Sequence, residues 1–539
     1  MINLKVRTEY SFRRAYGPLQ KVIDACNTER IAITDDGTWG HVPFSKLCKN
    51  PIYGVEIAFV EDASERSKQP TNYITFLAKN NSGLKEIYDL TSMATAKEHF
   101  YYFPRLDYTH LFDISENVFI LSGSNPNWGL LPKNKNVFAE INPMSTKKVL
   151  DLKFPLIATS DNFYPKLVDR KVYEVLVGRN RQASTKPMHI LNEWEYKSAI
   201  PWAPQEAIDN THLIAKDCNA SLTEASMVKF EKTKSLLDLC LEGAKKLNVD
   251  LRSKKYEDRL KYELRLIDEK KFEDYFFVIA DMVNYAKQHM FVGPARGSSA
   301  GSLVCYLLGI TDVDPLKHNL LFERFIDVNR ADLPDIDIDF QDNRRELVFT
   351  YLKEKYGYDK VARLGTISRY KAKSTIGEVA KELNIPQWEV NDLKGAIIER
   401  SGGDARAAFC ILDTFNDLDI GKKILKKYPQ MELAADMEFH ARHHGVHAAA
   451  IVVTEKPIRD YCSFNAQTEA LQVDKYDAES LNLLKIDALG LRTLSVLQDV
   501  LDQVKWSRQK LVEFPLDDEK AFSVLNDEKY SGIFQFEGY

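Results

Sequence analysis

Three carboxylates stand two residues apart in LPDIDIDF, residues 333–340, where Asp335, Asp337 and Asp339 alternate with Ile336 and Ile338. Successive side chains of an extended strand point to opposite faces, so the aspartates share one face and the isoleucines anchor the other. Like charges that close repel unless a cation lies between them. Paired carboxylates are the usual seat of Mg2+, which keeps waters and substrate phosphates in its remaining positions. Two such ions can clamp the attacking and leaving oxygens of a phosphoryl transfer. Two plainer readings stand beside this one. Asp335 and Glu346 fall at the first and twelfth positions of a calcium-loop pattern, although Phe340 fills the place where that loop needs glycine and the isoleucines favour a strand. The other is a solvated acidic edge strand.

A second segment, VGPARGSSAGSLVCYLLG, places Gly293, Gly297 and Gly301 with Ser298, Ser299 and Ser302 directly before a helix. Backbone N–H groups, hydroxyls and a positive helix end suit an anion, with Arg296 as a charged partner. The spacing is not that of a P-loop, and such a stretch can also be only a turn. LLKIDALGLRT puts Lys485 and Asp487 on one face of a short strand, a possible third carboxylate with its cation or a surface ion pair. ARHHGVHAAAIVV gathers Arg442, His443, His444 and His447 without zinc spacing, as a basic lip for phosphates or as packed histidines. RLGTISRYKAKSTIGEVAKEL carries Arg363, Arg369, Lys371 and Lys373 around Tyr370, a basic helix start suited to a nucleic-acid backbone or a solvated face.

These residues need elements to hold them. Up to about Pro201, short apolar runs (INLKV, IAITD, IYGVEIAFV, YITFLAK, VFILSG, FPLIATSD) alternate with helix-like stretches at βα spacing, which predicts a parallel barrel or wound sheet. A polar stretch near residues 200–210 reads as a linker. Long amphipathic helices follow, then the glycine-rich loop, the acidic strand and the helix NRRELVFTYLKEKYG. Residues 361–437 read as helical, and GVHAAAIVVT and NLLKIDALG as strands before a last helix. With 539 residues, 44% hydrophobic and 28% charged, the chain has room for several domains. A formal charge of -5 leaves any nucleic-acid contact to local patches. Seven scattered cysteines with no C-x-x-C pair argue for reduced thiols, a cytosolic setting and no structural zinc. No membrane role is indicated, since YFFVIADMV is too short to span a bilayer.

In this order the segments resemble the alpha subunits of bacterial DNA polymerase III, the C-family replicative polymerases. The likeness runs through TEYSF, AITD, GPARGSSAGSLVCYLLGITDVDPL, LLFERFIDVNR, LPDIDIDF, HGVHAAAIVV, LLKIDALGLRTL, LDDEKAFSVLN and GIFQFEG. It implies an α/β multidomain chain: a PHP-like α/β barrel (1–205), a polymerase-beta-like nucleotidyltransferase palm with a mixed sheet (206–345 and 436–500), an inserted helical thumb (346–435) and the start of fingers (501–539). It implies catalytic, Mg2+-holding aspartates at Asp335, Asp337 and Asp487, two ions there, and Asp339 in support. Arg296, Gly297, Ser298 and Lys485 would hold the incoming triphosphate, and Arg369, Lys371, Lys373, Arg442 and His447 would touch DNA. The reaction would be attack of a primer 3′ hydroxyl on a dNTP, directed by primer-template DNA, in the cytoplasm of a bacterium or a virus-infected bacterium.

Two departures from the family pattern matter. Where active PHP domains carry an H-x-H, this sequence has Lys5 and Arg7; other histidine positions hold Asp36 and Phe163, while Asp35, Glu56 and Asp161 remain. Lysine and arginine offer no lone pair to a metal at neutral pH, so no PHP metal and a structural role are expected. The sequence ends at Tyr539, where the family continues, so a second polypeptide carrying fingers and C-terminal domains is expected, with a sliding clamp or exonuclease reached through it. The competing expectations are a catalytically silent DNA- or partner-binding scaffold and, third, a PHP-type phosphoesterase or 3′-5′ exonuclease.

Overall fold

The structure, a computed structural model, describes residues 1–178, 184–327, 334–401, 403–512, 515, 517–534 and 536. Leu333 of the acidic motif, residues 328–330 of LLFERFIDVNR, Gly402 and parts of GIFQFEG lie outside the described residues. The chain forms two compact units, one of Met1–Ala225, Ala362–His447 and Lys456–Asn482, the other of Ser226–Val361, Ala448–Glu455 and Leu483–Tyr539.

In the first unit a seven-stranded sheet runs through β1 (Arg30–Ile33), β2 (Asn50–Val60), β3 (Asn72–Ala78), β4 (Arg105–Asp107), β5 (Val118–Leu121), β6 (Val137–Ile141) and β7 (Leu156–Ala158). It is mixed rather than parallel: β2, β3 and β5 pair antiparallel, whereas β1 joins β2, and β5, β6 and β7 join one another, in parallel. The reason lies in the β2–β3 connection, whose residues 61–71 form a turn-rich loop and not the crossover helix a parallel pair would need. INLKV is extended along β1, with Ala32 and Thr34 N–H donating to the carbonyls of Asn3 (3.1 Å) and Val6 (2.9 Å). Alternate side chains bury on both faces: Val55, Phe59, Phe76, Ile120 and Val137 in one core, Ile52, Leu77, Phe119, Leu121 and Phe138 in another. Ile214, Ala215 and Cys218 close the second core. The stretch expected to be a linker is therefore covered by an amphipathic helix, Gln205–Asp217, which buries Ile208, Thr211 and Ile214 and ties Asn210 to the Leu156 carbonyl at 2.8 Å. The first unit reaches Ala225, beyond the boundary read from the sequence.

The short α-helices between Ala372 and Met437 belong to this unit and pack Ile376, Val379, Val390, Leu393, Ile411 and Phe415 with Phe163, Tyr173 and Leu176. Residues before Ala372 differ from the helical expectation. Val361–Arg369 is a strand, paired in parallel through Arg363 and Ala470, because Val361, Thr366 and Ile367 are β-branched and Gly365 weakens a helix. The helix Glu346–Tyr356 and residues up to Val361 belong to the other unit.

The second unit is built on the strands Asp337–Gln341 and Leu484–Leu491, paired in parallel, and on the end of Ala441–Val453, antiparallel to the latter. The long helical run of the sequence is two helices, Lys254–Glu269 and Glu273–His289, separated where Lys271 takes a φ of 58°. Phe276, Ile279 and Val283 from the second of these pack with Ile336, Ile338, Phe340, Ile451 and Ile486 from the strands. All seven cysteines are buried and free. Among the described residues no helix is long and apolar enough to cross a membrane.

Candidate functional site

The parallel ladder sets Asp337 directly opposite Asp487, followed by Ile338 opposite Ala488. Ile336 and Ile338 are 1% and 4% exposed, and this burial turns the intervening carboxylates away from the core. Asp335 precedes the strand, and the Tyr275 hydroxyl accepts the N–H of Ile336 at 3.3 Å. Carboxylate oxygens of Asp335, Asp337 and Asp487 lie within 4.8 Å of one another, the only such metal-capable group among the described residues. Burial, then the charges of Asp335 and Asp487, push the Asp337 carboxyl above its ordinary range. Lys485 Nζ answers them, 2.6 Å from Asp487 and 3.4 Å from Asp335. One buried oxygen, Asp487 Oδ1, has no hydrogen-bond partner among the described residues. An oxygen-only donor set with an unpartnered buried carboxylate oxygen fits a hard divalent cation such as Mg2+.

Asp339 points elsewhere. Its carboxylate takes the Arg296 guanidinium at 3.1 Å, and its carbonyl accepts the Gly293 N–H at 2.7 Å. A bridge between Val292 and Phe340 completes the seam holding the glycine-rich loop to the acidic strand. Gly293 must be glycine, since a Cβ there would stand 2.9 Å from that of Asp339. Gly297, at a φ of 63°, faces the Asp337 carboxylate, and Ser298 follows it half-buried. The short helix beyond this loop does not offer its N-terminus to a ligand. Glu263, fully buried, already accepts from Ser302 Oγ (2.8 Å) and from the N–H groups of Leu303 (2.9 Å) and Val304 (3.0 Å), with Arg259 as its counter-ion at 2.6 Å. The helix head is thus taken, and of the residues read as triphosphate contacts Arg296, Gly297 and Ser298 lie on this loop, with Lys485 on the strand that bears Asp487.

The residues read as DNA contacts all belong to the first unit, and two are engaged within it. Arg369 is bonded to Glu9 (2.9 Å), the Tyr10 hydroxyl (3.1 Å) and the Phe439 carbonyl (3.1 Å), so its charge is consumed internally. Arg442 pairs with Glu378. Tyr370 is 1% exposed and belongs to the core, and His444 stacks on Trp39 at 5.0 Å. Lys371 and Lys373 are exposed and His447 half-buried.

At the degenerate positions of the first unit, Lys5 Nζ lies 3.2 Å from Glu56 and 3.1 Å from both Glu140 and Asp161. Arg7 holds Glu56 at 2.6 Å and Asp161 at 2.7 Å while its guanidinium lies 4.5 Å from the centre of the Phe163 ring. Arg14 reaches Glu56 at 2.7 Å and Asp36 at 4.0 Å. Burial pushes the Glu56 carboxyl up, but Arg14, Arg7 and Lys5 hold it down at about 2. Asp35 is apart from this cluster, accepting from Thr8 and Ser11; burial raises it to about 7 against those bonds. Glu140, Arg14 and Glu263 were not anticipated from the sequence. Glu140 alone left a local signal, a single carboxylate in the apolar run VFAEI.

Residues 3–141 match the family model of the PHP domain, residues 234–490 that of the bacterial DNA polymerase III alpha NTPase domain, and residues 493–539 that of the bacterial DNA polymerase III alpha subunit finger domain. Among the relatives, DNA polymerase III subunit alpha of Staphylococcus aureus is 32% identical over 561 residues, covering 95% of this chain and 49% of its own. That of Borreliella burgdorferi is 31% identical over 609 residues, covering 99% and 52%, and that of Aquifex aeolicus 29% over 657 residues, covering 99% and 55%. The chain thus spans about half the length of the relatives it matches. With three such models in succession, an acidic cluster inside the second and a PHP sheet joined to a nucleotidyltransferase-like palm, the chain belongs to the bacterial DNA polymerase III alpha-subunit family.

Proposed function

We propose that this chain supplies the catalytic carboxylates of a DNA-directed DNA polymerase, extending a primer 3′ hydroxyl with dNTPs on template DNA in the bacterial cytoplasm. The observation carrying the reading is the cross-strand pairing of Asp337 with Asp487, with Asp335 alongside and Asp487 Oδ1 unpartnered among the described residues. Mg2+ bound by these three residues, two ions in the full reading, would supply Lewis-acid stabilisation of the charge that develops on the transferring phosphoryl group. The protein's own groups orient the reactants. Arg296, braced by Asp339, meets the triphosphate at the loop, and Gly297 lets the backbone approach it without a side chain between loop and carboxylates. Lys485 compensates Asp335 and Asp487 and contributes a second cation toward the leaving pyrophosphate. Template-directed extension needs, in addition, what the other half of the relatives' length provides, together with any clamp or exonuclease bound through it. Lys371, Lys373 and His447 remain the proposed DNA contacts.

The PHP-like part is proposed to be structural and metal-free, because Lys5 and Arg7 stand among Glu56, Glu140 and Asp161 where a metal would need lone-pair donors. Primer extension with dNTPs, Mg2+ and the remaining polymerase segment tests the main reading. Extension lost in Asp337→Asn supports it. Equal extension by both proteins refutes it, and no extension by either favours the silent scaffold.

A further inference from the structure

The loop 61–71 and the segment leading from the helix Asn81–Ala94 into β4 form a cavity of about 570 Å3 that the reading above leaves unused. Its wall is Arg66, Lys97, Phe100, Tyr101 and Tyr102, closed by Ala466 and Gln467. Two cations and three aromatic rings meet there without a lining carboxylate, on a chain whose formal charge is -5. Tyr102 is 84% exposed and takes a φ of 60°, a conformation aromatic residues rarely adopt. Its ring meets that of Tyr101 edge-on, 4.6 Å between centroids.

Arg105 holds this arrangement from beneath. It is 1% exposed, and its guanidinium donates to the carbonyls of Ala63 (3.3 Å), Glu65, Ser67 (3.2 Å) and His99 (3.3 Å) while lying 5.1 Å from the centre of the Tyr101 ring. One buried side chain thereby fixes the loop bearing Arg66, the segment bearing Lys97 and the Tyr101 ring. Its hydrogen-bond partners are carbonyls, while the Asp62 carboxylate on the same loop feels its charge. Exposed rings interleaved with cations are the chemistry of single-strand binding: any base has a face to stack, and its phosphates need charge.

We propose that this cavity binds single-stranded DNA, one base stacking on Tyr102, whose ring Tyr101 braces edge-on, and the flanking phosphates meeting Arg66 and Lys97; only the choice of DNA over RNA rests on the polymerase reading. The cavity is of the size that holds one small ligand unit. The test is fluorescence anisotropy of the full chain with a labelled oligothymidylate of about 12 nucleotides in EDTA. Tyr102→Ala should weaken binding about 5- to 150-fold, the range for loss of one stacked base. The pair Arg66→Glu and Lys97→Glu should weaken it and flatten the salt dependence by about 1.4 in log–log slope, roughly 0.7 per lost phosphate contact. An abasic oligomer with the same phosphates should bind at least about fivefold more weakly. The assay contains neither free Mg2+ nor dNTP, so a failed extension assay leaves this proposal standing and the converse also holds. Three results would overturn it: no binding by wild type at about 100 µM, a weak limit for non-specific association; variants indistinguishable from wild type; or an abasic oligomer bound as tightly as the oligothymidylate. All three altered side chains are exposed, so the variants should fold.

Discussion

Lys5→Met asks whether the buried carboxylates of the first unit are held by neighbouring cations. Lys5 is 2% exposed, and its Nζ has three carboxylates within 3.2 Å. Methionine keeps most of the side-chain volume, so the packing loss is below about 1.5 kcal/mol. The electrostatic loss is larger, because Arg7 and Arg14 are left to face Glu56, Glu140 and Asp161. Removing one partner of a buried ion pair costs about 3–5 kcal/mol. At about 2–4 °C per kcal/mol for domains of 150–250 residues, the first unit's midpoint should fall by on the order of 10 °C.

The pH dependence separates charge from packing. Glu56 is held at about 2, below its ordinary 4.5, so its pairing stabilises the folded state at neutral pH. That contribution is complete above about pH 4.5 and is lost as pH falls toward 2. In Lys5→Met the carboxylates are less well compensated and take up a proton more readily. The deficit against wild type should therefore be largest near neutrality and shrink as pH falls toward about 5. Thermal unfolding followed by circular dichroism at several pH values measures this. Adding Glu140→Gln to Lys5→Met should recover at least about 1 kcal/mol, as coupled neighbours do. A deficit independent of pH, strict additivity of the two substitutions, or stability restored to Lys5→Met by Zn2+ or Mn2+ would each refute the reasoning.

Lys485→Met should lower the melting temperature of the metal-free protein yet bind Mn2+ more tightly, by about 3- to 10-fold, since the lysine competes with a cation for Asp335 and Asp487; calorimetric titration reads this. Gly297→Ala should cost about 1 kcal/mol for its left-handed backbone and weaken dNTP binding, measured by fluorescence quenching, because its new Cβ stands 3.4 Å from Asp337 Oδ2. Glu263→Ala leaves the Ser302 hydroxyl and the N–H groups of Leu303 and Val304 without their acceptor and Arg259 without its counter-ion, and should destabilise the second unit by at least about 2–4 kcal/mol in urea unfolding.

What could be read in advance divides by the range of the interaction that fixes each feature. The acidic motif declares its strand within a few residues, because isoleucine alternates with aspartate at the period of the pleat and only one register buries Ile336 and Ile338. Lys485 and Asp487 were legible for the same reason. The helix Glu346–Tyr356 likewise carries its own apolar spacing. Other features are decided across long loops. The amides at the head of the helix Leu303–Leu307 looked open to a phosphate because their acceptor, Glu263, lies about 40 residues upstream on another helix. Arg369 looked like a DNA contact because Glu9, which neutralises it, is 360 residues away. Strand Val361–Arg369 is an exception, since its β-branched residues were a local signal that its basic neighbours masked. A local pattern thus names the groups that can carry charge, but whether a charge is free for a ligand depends on partners the fold brings from afar. Lys5 and Arg7 were informative despite this, because an ammonium or guanidinium group cannot become a metal ligand in any surroundings that leave it protonated. Chemical identity alone excluded one role there, while the structure was needed to find Glu140 as the further carboxylate that sets these cations in place.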